Sequence, residues 1–170
     1  MITGGPGTGK SSVAEALTTL LDNAGVPHGA IESEQLAWGS PWLEDEQVHA
    51  QLGEVLRMQR GYGRRLFIVV ATTETEADLR ALVGAIGAQR SFVVALTVAG
   101  ETASARVLER EPERWAARES LAAHARVMAA RIAALPGVDL VLSTEGRDEE
   151  SVADELLDAL RAEGMLAVDS

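Results

Sequence analysis

The residue run with the clearest chemistry lies near the amino terminus, where the chain reads Gly4-Gly5-Pro6-Gly7-Thr8-Gly9-Lys10-Ser11. This run fits the phosphate-binding pattern G-x-x-x-x-G-K-[ST] at every constrained position. Its glycines permit the positive φ angles that turn successive N–H groups inward around an anion. Lys10, the only lysine of the chain, supplies an ammonium for the β- and γ-phosphates, and Ser11 supplies a hydroxyl for Mg²⁺. The run therefore predicts nucleotide binding.

The phosphate pattern requires a strand before the loop and a helix after it. Apolar residues at helical spacing from Ser11 to Asn23, followed by Gly25, predict the helix. Only residues 1–3 precede the loop, whereas a central strand usually has about five or six residues, so we expect the natural start to lie further upstream. The residues expected to contact the nucleotide phosphates here are Gly5, Pro6, Gly7, Thr8, Gly9, Lys10, Ser11 and Ser12.

Composition limits the classes of protein to which the chain belongs. A length of 170 residues with 46% apolar side chains predicts one globular domain. The net charge of -11 disfavours binding to nucleic acid or to anionic membranes. The absence of cysteine excludes disulfides and thiolate chemistry, and the three histidines have no metal-pair spacing on a helix. With no membrane-length apolar run and no secretory signal, we expect a cytoplasmic protein.

The rest of the chain alternates buried-strand and helix patterns. Apolar runs predict strands at 27–31, 66–71, 92–98 and 138–142, in addition to the short strand before the loop. Helical periodicity falls between them, at about 42–59, 76–86, 102–110, 119–135 and 150–161. This alternation predicts one parallel sheet with helices on both faces and a ligand site at the carboxyl ends of the strands.

With these elements in place, the sequence resembles the small P-loop kinases of metabolism, which include shikimate, gluconate, adenylylsulfate and nucleoside monophosphate kinases. The resemblance rests on the loop, on Glu32-Ser33-Glu34 after the second strand, on an arginine-rich stretch after the fourth, and on Ser143-Thr144-Glu145-Gly146-Arg147 after the fifth. It implies a three-layer α/β fold with a five-stranded parallel sheet of order 2-3-1-4-5. It also implies one P-loop kinase-like domain over residues 1–170, with a mobile lid at about 110–118.

The acidic pair Glu32 and Glu34 falls where the resembled kinases commonly carry Asp-x-Asp facing the γ-phosphate. The resemblance implies that Glu32 accepts the proton of the substrate hydroxyl or holds magnesium through water, and that Glu34 binds substrate. Glu is one methylene longer than Asp, which leaves both roles open for Glu32. The alternative is that both residues begin a solvated loop.

Four arginines recur every four residues in the predicted lid region: Arg106, Arg110, Arg114 and Arg118. In the resembled kinases this stretch closes over the phosphates, so Arg110 and Arg114 are the candidate catalytic cations and Arg106 a candidate nucleotide contact. Pro112 is expected to end the preceding helix. The alternative is a solvated, salt-bridged helix face beside Glu109, Glu111 and Glu113.

The remaining candidates surround the predicted nucleotide and acceptor. Arg147 lies where related kinases wrap a loop around adenine, and Trp38 lies where the acceptor-binding helix begins, although core packing explains a tryptophan equally well. Thr72 ends the third strand, where no Asp is present to serve as a second magnesium ligand. Arginines at 57, 60, 64 and 65 either bind an acceptor phosphate or serve the solvated surface.

These residues favour an ATP-dependent phosphotransferase that moves the γ-phosphoryl group to a small-molecule acceptor. Lys10 and an arginine would stabilise the transferring group, Ser11 would position Mg²⁺, and Glu32 would orient the nucleophile or serve as a second magnesium ligand. ATP and the acceptor would be the partners. The alternatives are a nucleotide-binding ATPase or switch module, or a phosphate-binding module without catalysis. A GTPase is disfavoured because its guanine-reading element needs a second lysine. The sequence leaves the acceptor and the oligomeric state open.

Overall fold

A computed structural model describes residues 1–166 of the chain and contains five strands and seven α-helices in that range. The strands are β1 (Ile2–Thr3), β2 (His28–Glu32), β3 (Leu66–Ala71), β4 (Val94–Thr97) and β5 (Leu140–Ser143). The helices are α1 (Lys10–Asn23), α2 (Ser33–Leu36), α3 (Asp45–Gly61), α4 (Glu76–Ile86), α5 (Gly100–Arg110), α6 (Arg118–Arg131) and α7 (Glu149–Ala162), and a 3₁₀ turn (Ile132–Ala134) follows α6.

The five strands form one parallel sheet in the order β2-β3-β1-β4-β5, which confirms the predicted order. Strand β1 lies at the centre, where Ile2 pairs with Val70 of β3 and with Val94 of β4. The strand order reverses beside β1, and such a point leaves a crevice at the carboxyl ends of the strands. The phosphate loop leaves β1 at this point.

Helices cover both faces of the sheet because neighbouring residues of a buried strand point to opposite sides. In β3, Val70 packs into the apolar cluster formed with α1 and α7, while Val69 and Ala71 pack against α3 and α4. Leu17 and Leu21 of α1 are fully buried in the first cluster. Each buried side chain of this size contributes roughly 1.5–3 kcal/mol, so α1 is firmly attached to the sheet that carries the loop.

Helices α5 and α6 pack against each other through small side chains. Their shared core contains Ala103 and Val107 of α5 and Ala122, Ala125 and Ala129 of α6. Alanines let the two helices approach closely with little interdigitation. The α5–α6 pair brings residues from both helices to the edge of the sheet where the phosphate loop lies.

Most differences from the predicted elements are at their ends. Helix α3 starts at Asp45 instead of 42, because the Glu44 backbone N–H donates to Gln47 Oε1 at 3.0 Å and closes the first turn. The four-residue helix α2 was not predicted, since it is too short to show a period. Helix α5 ends at Arg110, two residues before Pro112, as expected. Within residues 1–166 no helix is both long and apolar enough to span a membrane.

Candidate functional site

The phosphate loop joins β1 to α1 and depends on glycine backbone geometry. Gly7 and Gly9 adopt φ of 77° and 88°, in the left-handed region that residues with a Cβ rarely adopt. A Cβ on Gly7 would lie 2.4 Å from the carbonyl oxygen of Ala103. Gly9 is the N-cap of α1, so the loop passes directly into the first turn of that helix. The free N–H groups of this turn and the helix dipole favour an anion.

Lys10 is the first residue of α1, and its ammonium is almost completely buried. Its side chain is 9% exposed, and Nζ donates to the carbonyl oxygens of Gly4 at 2.9 Å and Gly5 at 3.1 Å. Burial lowers the pKa of Lys10 below 10.5, the nearby carboxylates of Glu34 and Glu32 oppose this shift, and Arg110 adds to it. Lys10 therefore holds its charge over the loop in a partly dehydrated environment.

A chain of hydrogen bonds supports the loop from below. Thr8 Oγ1 donates to Gly5 O at 2.9 Å, and Thr144 Oγ1 donates to Thr8 O at 3.0 Å. Arg106 Nη1 donates to Thr144 Oγ1 at 3.1 Å and to Gly7 O at 3.4 Å, and its Nη2 donates to Thr144 O at 3.2 Å. Arg106 thus connects α5 and the segment after β5 to the loop backbone.

Above the loop lies a cleft of about 600 Å³, a volume typical of a small-molecule site. Its floor is formed by the loop and the first turn of α1, and its walls come from β2, the segment after β3, and the α5–α6 pair. Ten predicted site residues line it: Pro6, Gly7, Gly9, Lys10, Ser11, Ser12, Glu32, Glu34, Thr72 and Arg110. The structure brings the predicted phosphate loop, the acidic pair and one arginine of the predicted lid region together.

The acidic pair is held by short local contacts. Glu32 Oε2 accepts from Gln35 Nε2 at 3.0 Å, and Glu34 Oε1 accepts from the Thr72 backbone N–H at 2.8 Å. The second bond joins α2 to the carboxyl end of β3. It fixes Glu34 at the edge of the cleft and explains why Thr72 lies beside it.

The other candidate residues lie outside the cleft lining. Gly5 and Thr8 are buried within the loop, and Arg106 lies beneath it. Trp38 is 83% exposed, and Arg114 is exposed in the segment between α5 and α6. Arg147 forms an ion pair with Glu155 at 2.7 Å and donates to Ser151 O at 2.9 Å, at the start of α7.

The arginines near the amino end of β3 lie at the opposite edge of the sheet. Arg60, Arg64, Arg65 and Arg90 line a separate cavity of about 510 Å³ there, and none of them lines the cleft. Arg60 donates to Ile86 O at 2.8 Å and stacks over Phe67, with 5.3 Å from its guanidinium carbon to the ring centroid.

Arg118, the last of the four arginines in the predicted lid region, donates to Leu108 O and Glu111 O and thereby caps the end of α5.

Sequence reasoning missed four residues of the cleft lining, Val70, Glu74, Leu121 and His124. His124 Nε2 of α6 lies 2.7 Å from Oε1 of Glu74, which follows β3, and the two residues are 50 positions apart in the chain. No local pattern connects them. A helix face can be predicted from periodicity, but the partner of that face depends on how α6 lies over the sheet.

The sheet order, the phosphate loop and the helices on both faces define the fold of the small P-loop kinases, in agreement with the resemblance seen in the sequence. Solved structures share this fold. A sugar kinase from Janibacter sp. HTCC2649 superposes with a TM-score of 0.64 at 18% identity, covering 99% of this chain and 96% of that one.

Two further structures extend the comparison. The APS kinase CysC of Mycobacterium tuberculosis, in complex with AMPPNP and APS, has a TM-score of 0.61 at 19% identity, covering 94% of this chain and 95% of that one. Kti12 of Chaetomium thermophilum, in complex with ADP-AlF3, has a TM-score of 0.58 at 15% identity, covering 93% and 96%. The sequence matches no protein-family model and no curated protein. At these identities the likeness concerns the fold alone.

Proposed function

We propose that this protein is an ATP-dependent phosphotransferase that moves the γ-phosphoryl group of ATP to a hydroxyl of a small-molecule acceptor. The observation that carries the proposal is the joint presence of Lys10, Arg110 and the carboxylates Glu32 and Glu34 in one cleft over a phosphate-binding loop. A loop alone would serve any nucleotide-binding protein. Carboxylates facing the loop add groups that can orient an attacking hydroxyl.

In the proposed reaction, the acceptor oxygen forms a bond to the γ-phosphorus as the bond to the β,γ-bridging oxygen breaks, and ADP leaves. Loop N–H groups and Lys10 hold the β- and γ-phosphates, and Arg110 contacts the transferring group. Glu32 orients the hydroxyl and takes its proton. Glu34 is held by Thr72 and binds the acceptor.

Magnesium fits the oxygen donors of this cleft. Ser11 is exposed at the start of α1 and lines the cleft with Glu32, and oxygen is the ligand atom that Mg²⁺ prefers. Within residues 1–166 no group of three or more His, Cys, Asp or Glu side chains is placed to hold a metal ion by itself. Ser11 would therefore hold Mg²⁺ together with phosphate oxygens, and the ion would neutralise phosphate charge. Holding Mg²⁺ through water is the alternative role of Glu32, in place of its role as the base.

The segment between α5 and α6 is proposed as the lid of a single P-loop kinase-like domain. Its residues are almost all exposed, and it carries Arg114 between the cleft residues Arg110 and Leu121. Closure of this segment over ATP would bring Arg114 toward the phosphates and exclude water. Arg106 and Arg147 already have protein partners, Thr144 and Glu155 respectively. Any contact of these two side chains with the nucleotide would therefore add less binding energy than a contact from an unpaired arginine.

The proposal is tested by thermal melts of the wild type and Lys10→Ala with MgATP, MgGTP or no nucleotide. Ligand at about 100 times its Kd stabilises the folded protein by roughly 2.7 kcal/mol, which a melt resolves. We expect an ATP-selective rise in Tm that Lys10→Ala loses, while Arg80→Ala, a surface residue paired with Glu76, keeps it. An equal rise in Lys10→Ala would refute the loop assignment. ATP turnover that no acceptor stimulates would favour the ATPase or switch alternative.

A further inference from the structure

The cleft lining includes a pair of polar side chains that have no role in the proposed nucleotide binding. Glu74 follows β3 and His124 lies on α6, with 2.7 Å between Glu74 Oε1 and His124 Nε2. Their side chains are 45% and 40% exposed, and both line the cleft. An ionised carboxylate only accepts hydrogen bonds, so Nε2 carries the hydrogen in this pair. The ring edge that carries Nδ1 has no protein partner among residues 1–166.

Each carboxylate in the cleft has a protein hydrogen-bond partner at only one of its two oxygens. Glu32 binds Gln35 through Oε2, Glu34 binds Thr72 through Oε1, and Glu74 binds His124 through Oε1. Among residues 1–166, the second oxygen of each has no hydrogen-bond partner. These oxygens present hydrogen-bond acceptors to a ligand. Hydroxyl groups are the donors that fit such a surface without bringing charge.

In the proposed reaction, the cations that line the cleft contact the phosphates of ATP. In the part of the chain that the structure describes, the only lysine and arginine that line the cleft are Lys10 and Arg110. Lys10 is bonded to the loop carbonyls, and Arg110 Nη2 lies 2.7 Å from Glu111 Oε1. The four arginines Arg60, Arg64, Arg65 and Arg90 line the cavity at the opposite edge of the sheet. An acid group on the acceptor would therefore meet carboxylates with no free cation to balance it.

We infer that Glu74 and His124 are acceptor-binding residues and that the acceptor is a polyhydroxyl compound without an acid group. The inference rests on the proposed phosphotransfer and deepens it by assigning the acceptor class. One hydroxyl donates to the second oxygen of Glu74, and a neighbouring hydroxyl forms a hydrogen bond with Nδ1 of His124. Leu121, one turn before His124 on α6, gives the carbon face of the acceptor an apolar surface.

The first arm of the test compares acceptors of similar skeleton and different charge. ADP release from MgATP is measured with D-glucose, D-glucosamine and D-gluconate, and with adenosine and AMP. We expect turnover with at least one acid-free member and at least tenfold lower kcat/KM with its acidic counterpart. Preference for gluconate or AMP, or ATP binding without turnover of any acid-free member, overturns the acceptor class.

The second arm changes the pair itself, using the acid-free member that is turned over. Glu74→Gln and His124→Asn are expected to raise the KM of the acceptor about tenfold while the KM of ATP changes less than twofold. Glu76→Gln, an exposed carboxylate two residues away that pairs with Arg80, is the matched control and is expected to leave both unchanged. An unchanged acceptor KM in both variants overturns the assignment of the pair. A loss confined to kcat does the same, because it indicates misplaced catalytic groups.

The two proposals fail in different ways. If the wild type shows no ATP-induced rise in Tm, the proposed function is wrong and the acceptor class falls with it. If the rise is present but the acidic acceptors are preferred, only the inference about Glu74 and His124 is wrong. Melts of the two unliganded variants show whether they are folded, and both substitutions keep a polar side chain at a half-exposed position.

Discussion

At the phosphate end of the cleft, beside the predicted phosphate loop, the surface is made by backbone and by groups that the protein itself holds in place. The proposed acceptor end is made by half-exposed side chains from distant segments. Lys10 is 9% exposed and bonded to two loop carbonyls, while the side chains of Glu74 and His124 are 45% and 40% exposed. The first surface is formed before ligand arrives. The second leaves side chains free to adjust to the ligand.

This contrast has a physical origin in chain connectivity. The phosphate end is one continuous segment, and its shape follows from glycine φ angles and the start of α1. The acceptor end combines β2, the segment after β3, and α6, so its shape depends on three packing interfaces. A change in one helix therefore alters the acceptor surface without altering the loop. Substitutions at the two ends should accordingly affect different quantities.

The largest expected effect separates chemistry from binding. Glu32→Gln removes the proton-accepting carboxylate but keeps a side chain of the same size, so transfer should slow by roughly 100-fold or more. The Kd of ATP should change little, since Glu32 contacts Gln35 and not the loop. Single-turnover kinetics and an ATP titration measure the two quantities. Unimpaired transfer would remove Glu32 from the mechanism.

The next effect tests whether the loop is rigid. Gly7→Ala places a Cβ at positive φ and 2.4 Å from Ala103 O, so it should cost about 2–4 kcal/mol of stability together with most of the ATP affinity. Gly25→Ala is the matched control, because Gly25 has φ of 68° and no atom within 4 Å of the added Cβ. It should cost only about 1 kcal/mol. Equal losses of unfolding free energy in Gly7→Ala and Gly25→Ala, measured by denaturant melts, would show that the loop can shift to accommodate the added Cβ.

A smaller effect distinguishes two arginines one turn apart on α5. Arg106 holds Gly7 and Thr144, so Arg106→Ala should lower stability by about 2 kcal/mol and weaken ATP binding. Arg110 is exposed and paired with Glu111, so Arg110→Ala should leave Tm unchanged and lower kcat by roughly tenfold, below the loss for a fixed oxyanion donor. If Arg110→Ala affects only the KM of ATP, Arg110 is a ground-state contact.

The smallest effect is a pH dependence of nucleotide affinity. Burial holds the pKa of Lys10 below 10.5 in the free protein, and bound phosphates raise it again. As pH rises through the lowered pKa, ATP must bind with uptake of a proton, so its affinity should fall at a lower pH than an ordinary lysine would give. Calorimetry in two buffers of different ionisation enthalpy measures the uptake. Lys10→Arg stays charged and should show none.

The sequence predicts the fold and the phosphate end of the cleft well, because both are encoded locally. Strand patterns and the loop motif are properties of short segments, and the sheet order follows from the resemblance they support. The proposed acceptor end depends on contacts that the sequence does not indicate. The position of Glu34 after the second strand marks it as a candidate, but its bond to the Thr72 backbone forms only when α2 packs against β3.

Arg106 and Arg110 of α5 also show that sequence spacing alone does not distinguish the roles of two side chains. A spacing of four residues places Arg106 and Arg110 on the same face of α5, and periodicity treats them alike. One lies beneath the loop and the other in the cleft, because the loop backbone reaches only the first of them. Glu74 and His124 gave no signal at all, since nothing in either segment indicates a partner 50 residues away.

The single lysine of this chain also makes the phosphate loop chemically addressable. Amine-selective acylating reagents have one side-chain target, Lys10. Its ammonium is buried and donates hydrogen bonds to carbonyl oxygens of the loop. The rate at which this one group is acylated reports how often the loop opens to solvent. Nucleotide phosphates would cover the same group, so the loss of labelling on the peptide that contains Lys10, measured by mass spectrometry, would report the fraction of molecules whose site is occupied.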